Sequence, residues 1–318
     1  MSELITLDEI REAASRVARI ARVTPLLDVS TQAEQPLLLK LESLQPSGAF
    51  KIRGAYNMVA QLTDDERRRG VITYSSGNHG QAMALAAREL GAPAVVVMPT
   101  TASRIKVEGA RSFGAELIFE GTTSVDRRVR AEREAAARGL TMVPPFDHRW
   151  IIAGQGTAGL EILDQRPDVR AVVVPIGGGG LIAGVAAAIK LTRPEVKVIG
   201  VEPDGAAKMK ASLDAGKPVT LERTETIADG LMPVRPGDLT FAHVRQFVDT
   251  IVTVTDLQIA DAVLWLFSTS KIVAEPSGAA SVAAALTAKP RLRGSVVALV
   301  SGGNIGLERL DELRKLAH

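Results

Sequence analysis

The chain has 318 residues, 38 Lys and Arg against 36 Asp and Glu, a formal net charge of +2, and no cysteine. The charge balance excludes a broad nucleic-acid footprint, and the missing thiols exclude disulfides, thiolate nucleophiles and cysteine-ligated zinc or iron–sulfur centres. The length suits two domains or one large α/β unit; with 46% apolar but only 3% aromatic residues, its core must be built from Ala, Val, Leu and Ile.

The opening MSELITLDEI carries acids where a secretion signal needs bases, and no stretch approaches the roughly 18 apolar residues of a membrane span. A cytoplasmic, soluble protein with neither membrane nor nucleic-acid partner is expected. Thr6-Leu7-Asp8-Glu9 is a capping box, and Ile10, Ala14, Val17 and Ile20 recur at helical spacing. Thr24-Pro25 ends that helix. Pro36–Glu42 reads as a strand, followed by a turn at Pro46-Ser47-Gly48 and a helix opening at Lys51. That helix runs into TDDERRRG, where the three arginines after three acids read as a solvated helix end.

From Val71 strands and helices alternate. Strands are expected at Val71–Tyr74, Ala94–Met98 and Glu116–Phe119, with helices ending near Gly91, Gly114 and Gly139. The second half repeats the pattern: a helix near Gly156–Asp164, strand Ala171–Pro175, helix to Leu191 and strand Val196–Val201. An irregular Gly216–Asp238 follows, then strand Asp249–Val254, a helix from Asp256, an Ala-rich helix after Ser277, strand Val296–Val300 and a charged last helix. This alternation predicts parallel sheets, with a small unit over 70–147 inserted in a large one formed by 1–69 and 148–318. No further regulatory domain is expected after the last helix.

Four loops carry candidate chemistry. Lys51, after Ser47-Gly48-Ala49-Phe50, is an amine at a loop-to-helix junction: either an ordinary solvated lysine at a helix start or, if held dry, one whose lowered pKa makes it a nucleophile or base. Gly177-Gly178-Gly179-Gly180, between a strand and a helix, exposes backbone N–H groups suited to an anion. Gly178-x-Gly180-x-x-Ala183 also satisfies the dinucleotide fingerprint, with Glu202 about twenty residues on as a ribose-binding acid. Local spacing alone thus favours NAD; the mid-chain position and the separate lysine loop weigh against it. Ser75-Ser76-Gly77-Asn78-His79-Gly80 forms a second anion pocket or an N-capping loop, with His79 an acid–base or packing group. Ser301-Gly302-Gly303-Asn304 follows the last strand.

The motifs Ser47–Lys51, Ser75–Gln81 and Ser301–Gly306, in that order, resemble the fold-type II pyridoxal-phosphate (PLP) enzymes, the threonine and serine dehydratases and serine racemases. The resemblance runs from about Thr24 to Gly306. It implies an α/β fold of two three-layer domains with parallel sheets, like the tryptophan synthase β chain, and usually a homodimer. It implies PLP in the cleft as a Schiff base with Lys51 beside Phe50, its phosphate on Gly177–Gly180, and Ser301 at the pyridine nitrogen. Asn78 would bond the phenolic oxygen, and Ser75, Ser76, Asn78 and His79 would bind the substrate carboxylate. Glu275-Pro276-Ser277-Gly278 and Ala228-Asp229-Gly230 would wall the cofactor.

The implied activity is conversion of L-threonine, L-serine or a related β-hydroxyamino acid to a 2-keto acid and ammonia. The alternatives are an amino-acid racemase with Lys51 and Ser76 as opposed bases and, remotely, an NAD-binding oxidoreductase. Animal-type serine racemases bind a divalent metal near a Glu-Pro segment. Here Glu202 and Ala206 match, but Lys208 replaces the acid, so no metal is expected there.

Overall fold

A computed structural model describes residues 4–33, 35–75, 77–287 and 294–317. Helix α1 (Leu7–Val17) leads to a short strand β1 (Leu26–Asp28), a single helical turn α2 (Ser30–Ala33) and strand β2 (Leu37–Lys40). Helices α3 (Lys51–Val59) and α4 (Asp64–Arg69) follow. Next come β3 (Val71–Tyr74), α5 (Asn78–Glu89), β4 (Ala94–Met98), α6 (Arg104–Ser112), β5 (Glu116–Phe119), α7 (Ser124–Arg138) and β6 (Thr141–Met142). The remainder is α8 (Arg149–Gln165), β7 (Ala171–Pro175), α9 (Gly180–Thr192), β8 (Lys197–Pro203), α10 (Lys208–Ala215), α11 (Asp238–Phe247), β9 (Thr250–Val254), α12 (Asp256–Ser268), α13 (Pro276–Thr287), β10 (Val296–Leu299) and α14 (Leu307–Leu316).

Among the described residues the strands form two sheets. One has the order β1-β2-β10-β7-β8-β9, parallel except for β1; the other, β5-β4-β3-β6, is wholly parallel. Strands β4, β7 and β10 are continuous apolar runs buried along their whole length, as parallel strands covered on both faces must be. In the larger sheet Leu39, Val173 and Ala298 face α12 and α13, while Val172, Val174 and Val297 face α8 and α9. In the smaller sheet Val96 and Val71 pack with α5, and Val95, Val97 and Ile72 pack with Ala131 of α7. Each sheet is therefore the middle of three layers. The core of the smaller sheet also takes in Ile52, Tyr56 and Val59, so α3 lies at the seam between them.

Thr6, Thr63, Thr123 and Thr255 close capping boxes at α1, α4, α7 and α12, which satisfies N–H groups that a helix start leaves unpaired. Several elements differ from the sequence reading. Helix α8 begins at Arg149, seven residues before the expected Gly156, because His148 accepts from the Trp150 N–H and caps it. Gly156 and Gly159 inside it are not breakers; they let α8 lie against the backbone of Gly184 and Val185 of α9. Strands β1 and β6 and helices α2, α10 and α11 are unmarked in the sequence, and α4 is a separate helix where the sequence reads the end of the one before it.

Candidate active site

Strands β2, β10 and β7 are parallel neighbours, so the loops after their carboxyl ends emerge side by side. Those are the lysine loop, the Ser301–Asn304 loop and the tetraglycine loop. Three hydrogen bonds tie the first two: Phe50 N–H donates to Ser301 O at 3.1 Å, Gly303 N–H donates to Gly48 O at 2.9 Å, and the Asn304 side-chain amide donates to Ser47 O at 2.9 Å. Gly48 is left-handed (φ 71°), and a Cβ there would collide with Asn304. From the smaller sheet the loop after β3 joins them, since Asn304 Nδ2 also donates to Asn78 Oδ1 at 3.0 Å.

Lys51 is the first residue of α3 and is half-buried. Its Nζ donates to Pro145 O at 2.8 Å and lies 5.0 Å from the centroid of the Phe50 ring. Among the described residues it has no carboxylate within ion-pairing distance, and desolvation lowers its pKa to about 8. The helix beneath it is anchored by charge. Arg53 is fully buried; its Nε and Nη2 reach Glu42 at 2.7 and 2.8 Å, and its Nη1 and Nη2 reach Glu161 at 2.7 and 2.9 Å. Lys40 also binds Glu161, at 2.6 Å. Two cations and two carboxylates thus compensate one another under the lysine.

The tetraglycine loop lies next to Pro145. The Phe146 ring lies where a Cβ on Gly178 would fall, Gly179 is left-handed (φ 99°), and Gly177 approaches the Gly230 carbonyl. Thr240 Oγ1 of α11 donates to Gly178 O at 2.7 Å. Helix α9 starts at Gly180 with no side-chain cap, so its first N–H groups are free for an anion. Helix α11, by contrast, is capped in trans: Asp147 accepts from the N–H groups of Asp238, Leu239 and Thr240 at 3.0 to 3.1 Å.

Helix α5 likewise starts without a side-chain cap. Ser75 Oγ accepts from Gly77 N–H at 3.0 Å, leaving its hydroxyl hydrogen to a ligand. Ser76 lies outside the described residues. His79 is buried, and its Nε2 donates to Val143 O at 3.0 Å, which leaves Nδ1 as an unpartnered acceptor. Burial and then the Lys51 charge push its pKa down to about 3, so the ring is neutral at neutral pH and its protonated form is unavailable as an acid. Ser301 Oγ donates to Ser277 O at 3.3 Å, and Ser277 Oγ accepts from Gly230 N–H at 2.8 Å. The segments around Glu275 and Asp229 therefore close the same wall.

Glu202 is fully buried, with Oε1 accepting from Met209 N–H and Oε2 from Lys210 N–H, both at 2.9 Å. It has no oxygen directed at a ribose, which removes the basis of the dinucleotide reading. Lys208 Nζ donates at 3.0 Å to each of Ile176 O, Ala206 O and Leu231 O and pairs with Glu202 at 3.2 Å. All three of its N–H donors are used, and an ammonium sits among oxygens of the kind that would hold a cation.

Pro145, Phe146, Asp147, Thr240 and Lys106 escaped the sequence reading. The Pro144-Pro145 pair marks a loop but not its place; nothing local points to Thr240 or Lys106.

The parts present fit a phosphorylated aldehyde cofactor: a desolvated lysine, a cradle of bare glycine backbone where a side chain would collide, and a buried serine hydroxyl. Residues 17–302 match the family model described as pyridoxal-phosphate dependent enzyme. The chain belongs to the pyridoxal-phosphate dependent enzymes. The enzyme is 46% identical over 314 residues to the L-threonine ammonia-lyase of Thermotoga maritima, covering 98% of this chain and 78% of that one. It is 43% identical to the biosynthetic L-threonine dehydratase IlvA of Escherichia coli, covering 92% of this chain but only 58% of that relative. The solved structure of maize serine racemase superposes with a TM-score of 0.93 at 38% identity, covering 98% of both chains. Among the described residues of this PLP-dependent enzyme, no helix is long and apolar enough to cross a membrane.

Proposed function

We propose that the enzyme deaminates L-threonine, L-serine or a related β-hydroxyamino acid to the 2-keto acid. The carrying observation is Lys51: an amine with a pKa of about 8, held by Pro145 O where the four loops meet. PLP, when bound, supplies the electron sink that makes the substrate's α-hydrogen removable. Lys51 would be its covalent anchor, and the N–H groups at the start of α9 would hold its phosphate. With its amine free, Lys51 would be the base that takes the substrate's α-proton. The uncapped start of α5 and the Ser75 hydroxyl would bind the substrate carboxylate. The β-hydroxyl leaves as water, and the released enamine consumes one water as it hydrolyses, so the net loss is ammonia.

Keto-acid formation from a panel of L-hydroxyamino acids tests this: L-threonine or L-serine should turn over, and Lys51→Ala should abolish both. Turnover only of amino acids without a β-leaving group would reject it. The second reading, serine racemization, rests on Ser76 and on the likeness to maize serine racemase. It predicts that Ser76→Ala removes D-serine formation while sparing keto-acid release. We further propose a cytoplasmic homodimer in which 70–147 is the small inserted domain of each chain; light scattering should give about twice the 33.7 kDa chain mass.

A further inference from the structure

Asn78 is the first residue of α5 and Lys106 belongs to α6, both on the side of the smaller sheet; Glu275 and Asn304 sit on loops of the larger one. These residues make one buried chain. Asn304 Nδ2 donates to Asn78 Oδ1 at 3.0 Å, and Asn78 Nδ2 donates to Glu275 Oε1. Glu275 Oε2 pairs with Lys106 Nζ at 3.1 Å, and Lys106 also pairs with Asp229 Oδ2 at 2.6 Å. Lys106 and Glu275 are 4% and 2% exposed. The Lys106 stem lies where a Cβ on Gly77 would fall, and Glu275 Oε1 lies where one on Gly302 would, so both loops are cleared for these side chains.

The chemistry of the chain is directional. An amide has one acceptor oxygen and two N–H donors. Asn78 Oδ1 is occupied by a donor and one of its N–H groups by a carboxylate, so the amide cannot flip without setting donor against donor and acceptor against acceptor. One N–H is left over, and the group at that point can only donate. Its partner must be an acceptor oxygen, such as the ionised ring oxygen of the cofactor.

We propose that Glu275 and Lys106 are positioning residues that lock Asn78 as a hydrogen-bond donor toward the cofactor ring oxygen. Lys106 reaches Glu275 from α6, on the side of the smaller sheet, so the lock is built from both sides of the cleft. Burial, together with the Asp229 charge, raises the Glu275 pKa on balance, and the Lys106 charge opposes that rise and favours the carboxylate. The proposal rests on the reading that Asn78 faces that oxygen.

The test is the visible spectrum of the PLP-loaded enzyme, which reports the ionisation of the ring oxygen independently of turnover. Glu275→Leu and Lys106→Met should each move absorbance from the visible band to the near-ultraviolet band. They should lower kcat for L-threonine by about tenfold with a smaller change in KM. Lys106→Arg should restore both. Variants that bind stoichiometric cofactor, lose only thermal stability and keep the wild-type band ratio overturn the proposal. If Glu275→Leu does not fold, the Lys106→Met and Lys106→Arg pair decides by the same rule. Asn78→Ala separates the two levels: if it alone alters the ratio, the lock is wrong; if it alters nothing, the reading of Asn78 itself is wrong.

Discussion

A solvated lysine is almost wholly protonated at neutral pH, whereas Lys51 is held at about 8 by loss of water. Burial penalises the ammonium, so below that value the neutral amine gains about tenfold in population for each unit rise in pH. Capture of PLP by cofactor-free enzyme should therefore accelerate up to about pH 8 and then level. A rate still climbing tenfold per unit at pH 9 would show an ordinary lysine. Lys208 shows the opposite use of the same side chain. Burial lowers its pKa too, but Glu202 and three carbonyls surround it, and it is spent on structure. Lys208→Met would strand a fully buried carboxylate and should destabilise by about 3–5 kcal/mol, read from the urea midpoint. With the ammonium in place, exhaustive chelation should leave activity unchanged. Stoichiometric magnesium or calcium by atomic absorption would contradict that.

At the scale of elements, the helix that presents Lys51 is held from below by Arg53. Arg53→Met leaves Glu42 buried and unpaired, so a loss of about 3–5 kcal/mol is expected, with weaker cofactor retention because α3 is no longer fixed. Unchanged stability would mean the network contributes nothing. Gly184 sets the approach of α9 to α8, since a Cβ there would run into the Ile152 carbonyl. Gly184→Ala should cost about 1–3 kcal/mol by overpacking, measured by thermal unfolding of the loaded enzyme. Most elements could be read locally, among them the apolar runs of β4, β7 and β10 and the threonine capping box of α1. The exceptions have non-local causes. Helix α11 is started by Asp147, 91 residues before its first turn, and β6 is two residues whose pairing depends on β3. Gly154, Gly156 and Gly159 lie inside α8 and serve its packing against α3 and α9.

At the scale of the molecule, function depends on a topological fact: strands separated by more than a hundred residues are neighbours. Leu37–Lys40, Val296–Leu299 and Ala171–Pro175 bring three loops to one edge, and α5 brings the fourth. Each loop was visible in the sequence because a glycine-rich stretch between strand and helix has few other uses. Their meeting was foreseen by the family resemblance and not by any local pattern. What joins them was hidden: Pro145 as the acceptor for Lys51, Phe146 against the tetraglycine backbone, and Lys106 reaching Glu275 from α6. These are single long-range contacts of common residue types, and spacing carries no trace of them.

The account depends most on Lys51 as the residue that holds PLP. Borohydride treatment of the loaded enzyme, followed by proteolysis and mass spectrometry, locates that bond. The predicted result is a single phosphopyridoxyl group on the peptide containing Lys51, with loss of the visible band in Lys51→Ala. Labelling of Lys106, Lys208 or a surface lysine instead, with Lys51 unmodified, would contradict it.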